Sequence, residues 1–360
     1  NVANTANITS FFAHLQGDFS AGTLNLNNTY NLSGGNLTVG DFTGPGSFVW
    51  NSGSLYDTND LYIDNNNGYL PGAATLTNGR HLSVAGLLAV GVNQGGSLSV
   101  VDFTDVTSAT GRIGGAAADG QTASVLLGVD NYAGWYITNG LTMGDDVLAE
   151  LRIEDGTRVR VGYTSQFSSG DDPLANAYIS TVPGGVSNIT IDGANSYLEV
   201  ANNLYLGGDA AGPKGGGTLE LTNGDGLVDN LVVGGVLKVW DDYTLDAVDG
   251  TALFSSLDVA GIANFGTRHF DTVAEGITIS TSGGTLNTQS IDFGTQDFTG
   301  HGTLNARITT DADIIATGDL TLGDLNDYNA VSIAGTIYTG THTVKVHKKG
   351  FFTLSNNSVS

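Results

Sequence analysis

The stretch L-R-I-E-D-G-T-R-V-R-V-G, from Leu151 to Gly162, decides the fold of this chain. Aliphatic residues alternate with polar ones on both sides of an Asp-Gly pair, and an aliphatic-Gly step ends the phrase. Related phrases occupy residues 137–144, 189–207 and 219–234. A strand-turn-strand unit that recurs along a chain is typical of a solenoid.

Two architectures compete for this pattern, namely hairpins in a sandwich and a right-handed parallel β-helix. The strands are short, and those after each turn keep the same phase, which favours the all-β parallel β-helix. With about 20 residues per coil, we expect roughly 14 to 17 coils stacked at ~4.8 Å. Alternation predicts that the aliphatic positions point inward. These positions include Leu151, Ile153, Val159, Val161, Leu219, Leu221, Leu231 and Val233.

The first 20 residues differ from the rest and are expected to cap the solenoid. S-F-F-A-H-L-Q, from Ser10 to Gln16, places Phe11, Phe12 and Leu15 on one face of a short helix. Residues 21–360 are then a single β-solenoid. Irregular segments predict loop insertions near residues 101–124, 163–188 and 207–217.

Composition narrows the class of protein. Gly accounts for 53 of the 360 residues, Pro for 5 and hydrophobic residues for 40%, which excludes collagen and a disordered chain. The net charge of −24 argues against binding to nucleic acid or to anionic membranes. The absence of Cys excludes disulfides and thiol chemistry. No 18-residue apolar run is present to insert into a membrane, and the start at Asn1 favours a mature, exported protein.

A second stretch carries a family resemblance. T-G-H-G-T-L-N-A-R-I-T-T-D-A-D-I-I-A-T-G-D-L-T-L-G-D, from Thr299 to Asp324, together with G-T-L-E-L-T-N-G and L-V-V-G, resembles bacterial autotransporter-associated β-strand repeat proteins. It resembles especially the exosortase-sorted exoproteins that carry a Pro-Glu-Pro sorting tail, although this sequence has no such motif. The resemblance implies a β-solenoid, export from a bacterium, and a surface or matrix role, with no catalytic residues to carry over.

An enzyme hypothesis depends on three residues. Asp171 and Asp172 form a Gly-Asp-Asp motif, and His301 lies in a Gly-His-Gly motif. Both resemble motifs of polygalacturonases, which pair carboxylates with a histidine. The two motifs lie about 130 residues apart, much farther than the corresponding motifs of that family. This spacing argues against an enzyme. Arg158 and Arg160 alternate on one strand and are interpreted as a charge ladder on a solvent-exposed face.

Calcium is the one cofactor that the sequence suggests, and none is required. Acidic turns offer the clustered oxygen ligands that Ca²⁺ prefers, although none fits a known calcium loop. The candidate ligands are Asp145, Asp146, Asp241, Asp242, Asp324 and Asp327. Asn side chains are also expected to stack from coil to coil along the axis. The candidates are Asn27, Asn28, Asn31, Asn36, Asn65, Asn66 and Asn67.

Three functional hypotheses follow. The first is an extracellular structural protein, a subunit of a surface filament, sheath or matrix that assembles with copies of itself. The second is a β-helix that binds or cleaves an extracellular polysaccharide, and the third is an adhesin stalk. The edge strands at the ends of a solenoid favour the first, because unpaired strand edges invite another chain to pair with them.

Overall fold

The computed structural model describes residues 3–64, 70, 73–77, 79–92, 95–102, 104–115, 121–128, 133–144, 148–169, 171–224, 230–323, 331–346 and 352–354. Within these ranges the regular secondary structure is almost entirely β-strand. The strands of the first half are β1 (Ala3–Ile8), β2 (Phe12–His14), β3 (Asp18–Leu26), β4 (Thr29–Thr43), β5 (Ser47–Asp57), β6 (Leu61–Ile63), β7 (Ala73–Leu76), β8 (Arg80–Val90), β9 (Gly96–Val100), β10 (Asp105–Ile113), β11 (Thr122–Leu127), β12 (Gly134–Met143), β13 (Leu148–Glu154), β14 (Arg158–Val161), β15 (Asn176–Ile179) and β16 (Val186–Asp192).

The second half continues the same pattern. Its elements are β17 (Tyr197–Val200), β18 (Leu204–Leu206), β19 (Gly208–Asp209), β20 (Gly212–Pro213), β21 (Gly216–Thr222), β22 (Leu231–Val239), β23 (Tyr243–Asp246), β24 (Ala252–Val259), β25 (Ile262–Asn264), β26 (His269–Asp271), the single-turn helix α1 (Thr272–Glu275), β27 (Thr278–Gly294), β28 (Phe298–Thr310), β29 (Ile314–Leu322), β30 (Val331–Ile333), β31 (Ile337–Tyr338), β32 (Val344–Val346) and β33 (Phe352–Leu354).

The Asp-Gly phrase turns a corner of the solenoid and does not form a hairpin. Asp155 and Gly156 both have positive φ, as the turn chemistry predicts. The flanking strands do not pair with each other. Instead, β13 pairs in parallel with β11 and β16, and β14 pairs in parallel with β12 and β17. The predicted parallel β-solenoid is therefore confirmed, and the right-handed sense is the one that parallel crossover connections strongly favour.

Each coil contributes strands to three faces that run along the axis. β15 and β18 lie on the first face, β13, β16 and β21 on the second, and β14 and β17 on the third. Longer strands such as β22 and β27 bend round a corner and join two faces. The first coils advance by 18 residues, whereas the step from Arg160 to Glu199 takes 39 because an insertion intervenes.

Inward side chains fill one continuous core between the three faces. The eight aliphatic residues predicted to point inward, from Leu151 to Val233, are all at most 2% exposed. Side-chain volume is balanced between coils as well as within them. Trp135 is fully buried and packs where Gly111 of the preceding coil has no side chain, and its indole donates to Ser108 at 3.0 Å. Small residues in one coil thus make room for a large one in the next.

The predicted N-terminal helix is not confirmed. β1 pairs in parallel with β3, and β2, which lies inside the predicted helix, pairs with β4. These residues therefore form the first coil of the solenoid. Pairing with the second coil satisfies backbone groups and orders Phe12 over Tyr30, with their ring centroids 5.1 Å apart, and this outweighs a weak local helical pattern.

Two of the three predicted insertions contain regular coil strands. β10 lies inside 101–124, and β15 lies inside 163–188. Several inward positions of these strands hold small residues such as Ser108 and Ala177, so the alternation of apolar and polar residues was not visible in the sequence. The third segment, 207–217, does leave the solenoid, since β19 and β20 form a short antiparallel pair. No helix of the described ranges combines the length and apolar character needed to cross a membrane.

Outward Asn side chains form hydrogen bonds from coil to coil, as the sequence suggested. Asn305 donates to Asn287, and Asn287 to Asn264, each at 2.6 Å. Among the predicted positions, Asn31 accepts from Asn51 at 2.8 Å and Asn36 donates to Asp18 at 2.8 Å. The side chain of Asn28 instead accepts from the backbone of Thr29. Asn65, Asn66 and Asn67 lie outside the described residues.

Candidate functional site

The three candidate catalytic residues do not share a site. Asp171 and Asp172 lie in the loop that follows β14, and His301 lies in β28. Five parallel steps, through β17, β22, β24 and β27, separate β14 from β28, which at ~4.8 Å per step is about 24 Å along the axis.

Each of these residues has a local partner. Asp171 accepts hydrogen bonds from the hydroxyl and backbone N–H of Thr164 at 2.6 and 2.7 Å, and these bonds lower the pKa of its carboxyl group. Asp172 accepts from the N–H of Leu174 at 3.0 Å. His301 contacts the hydroxyl of Thr317 at 3.1 Å. These contacts are those of turn and surface residues.

The calcium candidates are divided between described and undescribed segments. Asp241 and Asp242 are exposed in the turn that links β22 to β23, where Asp242 has a positive φ of 60°. Asp145, Asp146, Asp324 and Asp327 lie outside the described residues. Over the part of the chain that the structure describes, no group of three or more His, Asp or Glu side chains is placed to hold a metal ion.

Arg158 and Arg160 are buried, so the predicted solvent-exposed charge ladder is wrong. Each is 7% exposed, although both point outward from the third face. The loop 163–175, which we call the clasp loop, covers Arg160, whereas the Arg158 guanidinium lies 5.7 Å from the centre of the Tyr197 ring. Arg160 donates from Nε to Glu199 at 2.6 Å and from Nη1 to the backbone carbonyls of Ser165 and Gln166, both at 2.9 Å.

Tyr163 completes this cluster. Its ring lies 3.7 Å from the Arg160 guanidinium carbon, and its hydroxyl donates to Glu199 at 2.6 Å. Burial and the hydrogen bond to Glu199 raise the pKa of Tyr163 to about 12. Burial alone would lower the pKa of Arg160, but the hydrogen bond and charge of Glu199 raise it above its ordinary value. The cluster is therefore a charge-compensated clasp that orders the loop.

The clasp loop displays apolar side chains at its surface. Phe167 is 90% exposed and Leu174 is 73% exposed, the two highest values among the large hydrophobic residues described. No pattern in the sequence predicts this arrangement. A strand pattern tells which way Arg160 points, but not whether a later insertion folds back over it.

The first coil leaves a layer of the core open at the N-terminal end. Phe12 and His14 are in register with the buried residues Tyr30 and Leu32 and so occupy inward positions. Phe12 is nevertheless 38% exposed, because no strand among the described residues stacks on its other side. The adjacent Phe11 and Leu15 are 62% and 67% exposed. We call these exposed apolar residues, Phe11, Phe12 and Leu15, the terminal layer.

An apolar groove opens between two consecutive coils on the second face. β5 pairs with β4 and β8, and β7 pairs with β9, but within the described ranges β5 and β7 do not pair with each other. The groove between them has a volume of about 370 Å³ and is lined by Phe48, Trp50, Ala74 and Leu76, among others. Arg80 lies at its rim and donates to the backbone carbonyls of Asn51 and Thr75, one on each wall.

Comparisons with protein-family models, with curated proteins and with solved structures find no match for this chain. The resemblance to autotransporter-associated repeats therefore stays a prediction.

Proposed function

We propose that this chain is an extracellular structural protein of a bacterium, a subunit of a surface filament, sheath or matrix that assembles through contacts between copies. The terminal layer is the observation that carries the proposal. It combines one edge of β1 and one edge of β2, which no strand of the described residues pairs with, and exposed aromatic and aliphatic side chains.

Both parts of this surface favour another coil as the partner. Strand edges present unpaired N–H and C=O groups that pair well with a further parallel strand. Each large apolar side chain that is covered contributes about 1.5–3 kcal/mol. A coil stacked on β1 and β2 would satisfy both surfaces at once and would place Phe12 within a continuous core.

The strands at the other end of the described solenoid are suited to this role. β32 pairs with β29, and β33 pairs with β30, and the second edge of each has no strand partner in the part of the chain that the structure describes. Contact between unlike ends of two copies is heterologous, and a heterologous contact that does not close on itself produces a filament. Export is supported by the resemblance of the repeats.

Introduction of negative charge at the terminal layer tests the proposal. A double variant, Phe11→Asp with Leu15→Asp, alters two exposed positions and leaves the buried core intact. We expect the wild-type protein to form elongated particles in analytical ultracentrifugation and negative-stain microscopy, and the variant to remain monomeric. Val248→Asp, at a position 51% exposed far from both ends, is the matched control and should assemble normally. A wild-type protein that is monomeric at high concentration, or a double variant that assembles equally well, would overturn the proposal.

A further inference from the structure

The clasp loop presents an exposed aromatic side chain on an ordered backbone. Arg160 binds the carbonyls of Ser165 and Gln166, which precede Phe167, and Asp171 binds Thr164 on the other side of the loop. A buried, ion-paired guanidinium thus orders the backbone that presents a phenyl ring at 90% exposure. A rigid aromatic side chain loses little conformational entropy on binding, and such residues are enriched at the energetic centres of interfaces.

The apolar groove between β5 and β7 has complementary properties. Its volume of about 370 Å³ exceeds that of one phenyl ring, and its floor consists of the buried apolar side chains of Phe48, Trp50 and Leu76. It also carries Arg80 at the rim, one of only 12 basic residues in a chain of net charge −24. The clasp loop carries Asp171 and Asp172 close to Phe167 in sequence, so an apolar contact and an ionic contact can form together.

We propose that Phe167 of one copy inserts into the β5–β7 groove of a second copy, with Asp171 and Asp172 facing its Arg80. The inference rests on the proposed function, since it adds a side contact to an assembly of copies. Aromatic side chains and arginine are enriched in protein interfaces, and complementary charges fix the register of two surfaces. Because the ring and the groove lie at different places on the molecule, the contact is heterologous and extends from copy to copy.

Site-specific photo-crosslinking tests the contact directly. p-Benzoylphenylalanine is placed at position 167 in the double variant Phe11→Asp with Leu15→Asp, which removes end-to-end stacking. We expect cross-linked dimers whose joined peptides map by mass spectrometry to Phe48–Trp50 or to Ala73–Arg80. The same probe at Val248 is the control and should give no such dimers. Cross-links that map elsewhere, or no dimers, would overturn the inference.

A charge swap supplies a second readout. Arg80→Glu should lower the yield of cross-linked dimer about tenfold, the equivalent of ~1.4 kcal/mol. Asp172→Lys, introduced on the same Arg80→Glu background, should restore it, and Asp171 is left unchanged because it binds Thr164 within the clasp loop. Failure of the rescue counts against the contact, since a merely structural effect of Arg80→Glu would not respond to charges on the clasp loop.

The two proposals fail in different ways. Filaments in the wild-type protein without the 167 cross-link would leave the proposed function intact and remove this contact. Cross-linking of the 167 probe to an added extracellular polysaccharide, and not to another copy, would instead assign the exposed ring to a saccharide and overturn the inference.

Discussion

Leu151→Ala should locally destabilise the coil that contains the Asp-Gly phrase. Leu151 is fully buried and lies in register with Val125 of one neighbouring coil and Ile189 of the other. Truncation leaves a cavity between three coils, whose fixed backbone spacing limits collapse into it. Buried Leu→Ala changes cost about 2–5 kcal/mol, and the rigid stacking favours the upper half of that range.

Arg152→Ala is the matched control, one residue along the same strand. The Arg152 side chain points outward, is 57% exposed and pairs with Glu154 on the solvent side. A surface ion pair of this kind contributes little, so the control should change stability by less than about 0.5 kcal/mol. Because the two residues are adjacent in one strand, a difference in their effects on stability reports whether each side chain points into or out of the core.

Urea denaturation gives the total effect of Leu151→Ala, and hydrogen exchange measured by mass spectrometry locates it. Repeat arrays gain stability from neighbouring coils, so protection should fall most in β11, β13 and β16. Equal destabilisation by Leu151→Ala and Arg152→Ala would refute the assignment of faces. A loss of hydrogen-exchange protection that is uniform along the chain would show that the destabilisation is not confined to the coil of Leu151 and its neighbours.

Two further predictions concern buried charge. Asp57 is 3% exposed, in register with Val39 and Val84, and burial raises its pKa to about 6. The folded protein therefore binds this proton more tightly than the unfolded chain does, so the contribution of Asp57 to stability is greatest below about pH 4 and is lost as the pH rises through 6. Asp57→Asn should remove this pH dependence and stabilise the folded protein by about 3 kcal/mol at pH 8. Urea midpoints measured across pH 4–8 test this, and an unchanged pH profile would contradict it. Glu199→Gln should loosen the clasp loop and raise the rate of thermolysin cleavage beside Phe167 about tenfold (~1.4 kcal/mol). The control Glu220→Gln, at an exposed position, should leave the cleavage rate unchanged. Equal cleavage rates in the two variants would contradict the role of Glu199 in ordering the loop.

The solenoid could be predicted because its determinants are local and repeated. Alternation around Ile153 and Val159 defines the inward face of two strands, and Asp155-Gly156 supplies the positive φ that the corner needs. Repetition of this phrase then indicates that neighbouring coils present the same face. Parallel pairing follows, because strands that recur in the same phase stack on their counterparts in the next coil.

The first coil and the clasp could not be predicted, because they depend on contacts between distant residues. Phe11 and Phe12 fit a short helix when only their neighbours in sequence are considered, whereas pairing with β4 decides their structure. Arg160 has the spacing of a solvent-exposed residue, and the fold of the clasp loop buries it. Ser108 has the character of a surface residue in the sequence, but in the structure it is buried and accepts a hydrogen bond from Trp135 of the next coil.

Electrostatics favours specific contacts between copies over general lateral packing. The net charge of −24 makes the long faces of two copies repel each other, and at physiological ionic strength this repulsion acts over about 8 Å. The N-terminal end is different, since Asp18 is the only Asp, Glu, Lys or Arg among residues 1–40. Apolar contact at the terminal layer therefore meets little repulsion. A side contact is favourable only where a basic residue such as Arg80 offsets the acidic surface, which restricts assembly to a few defined geometries.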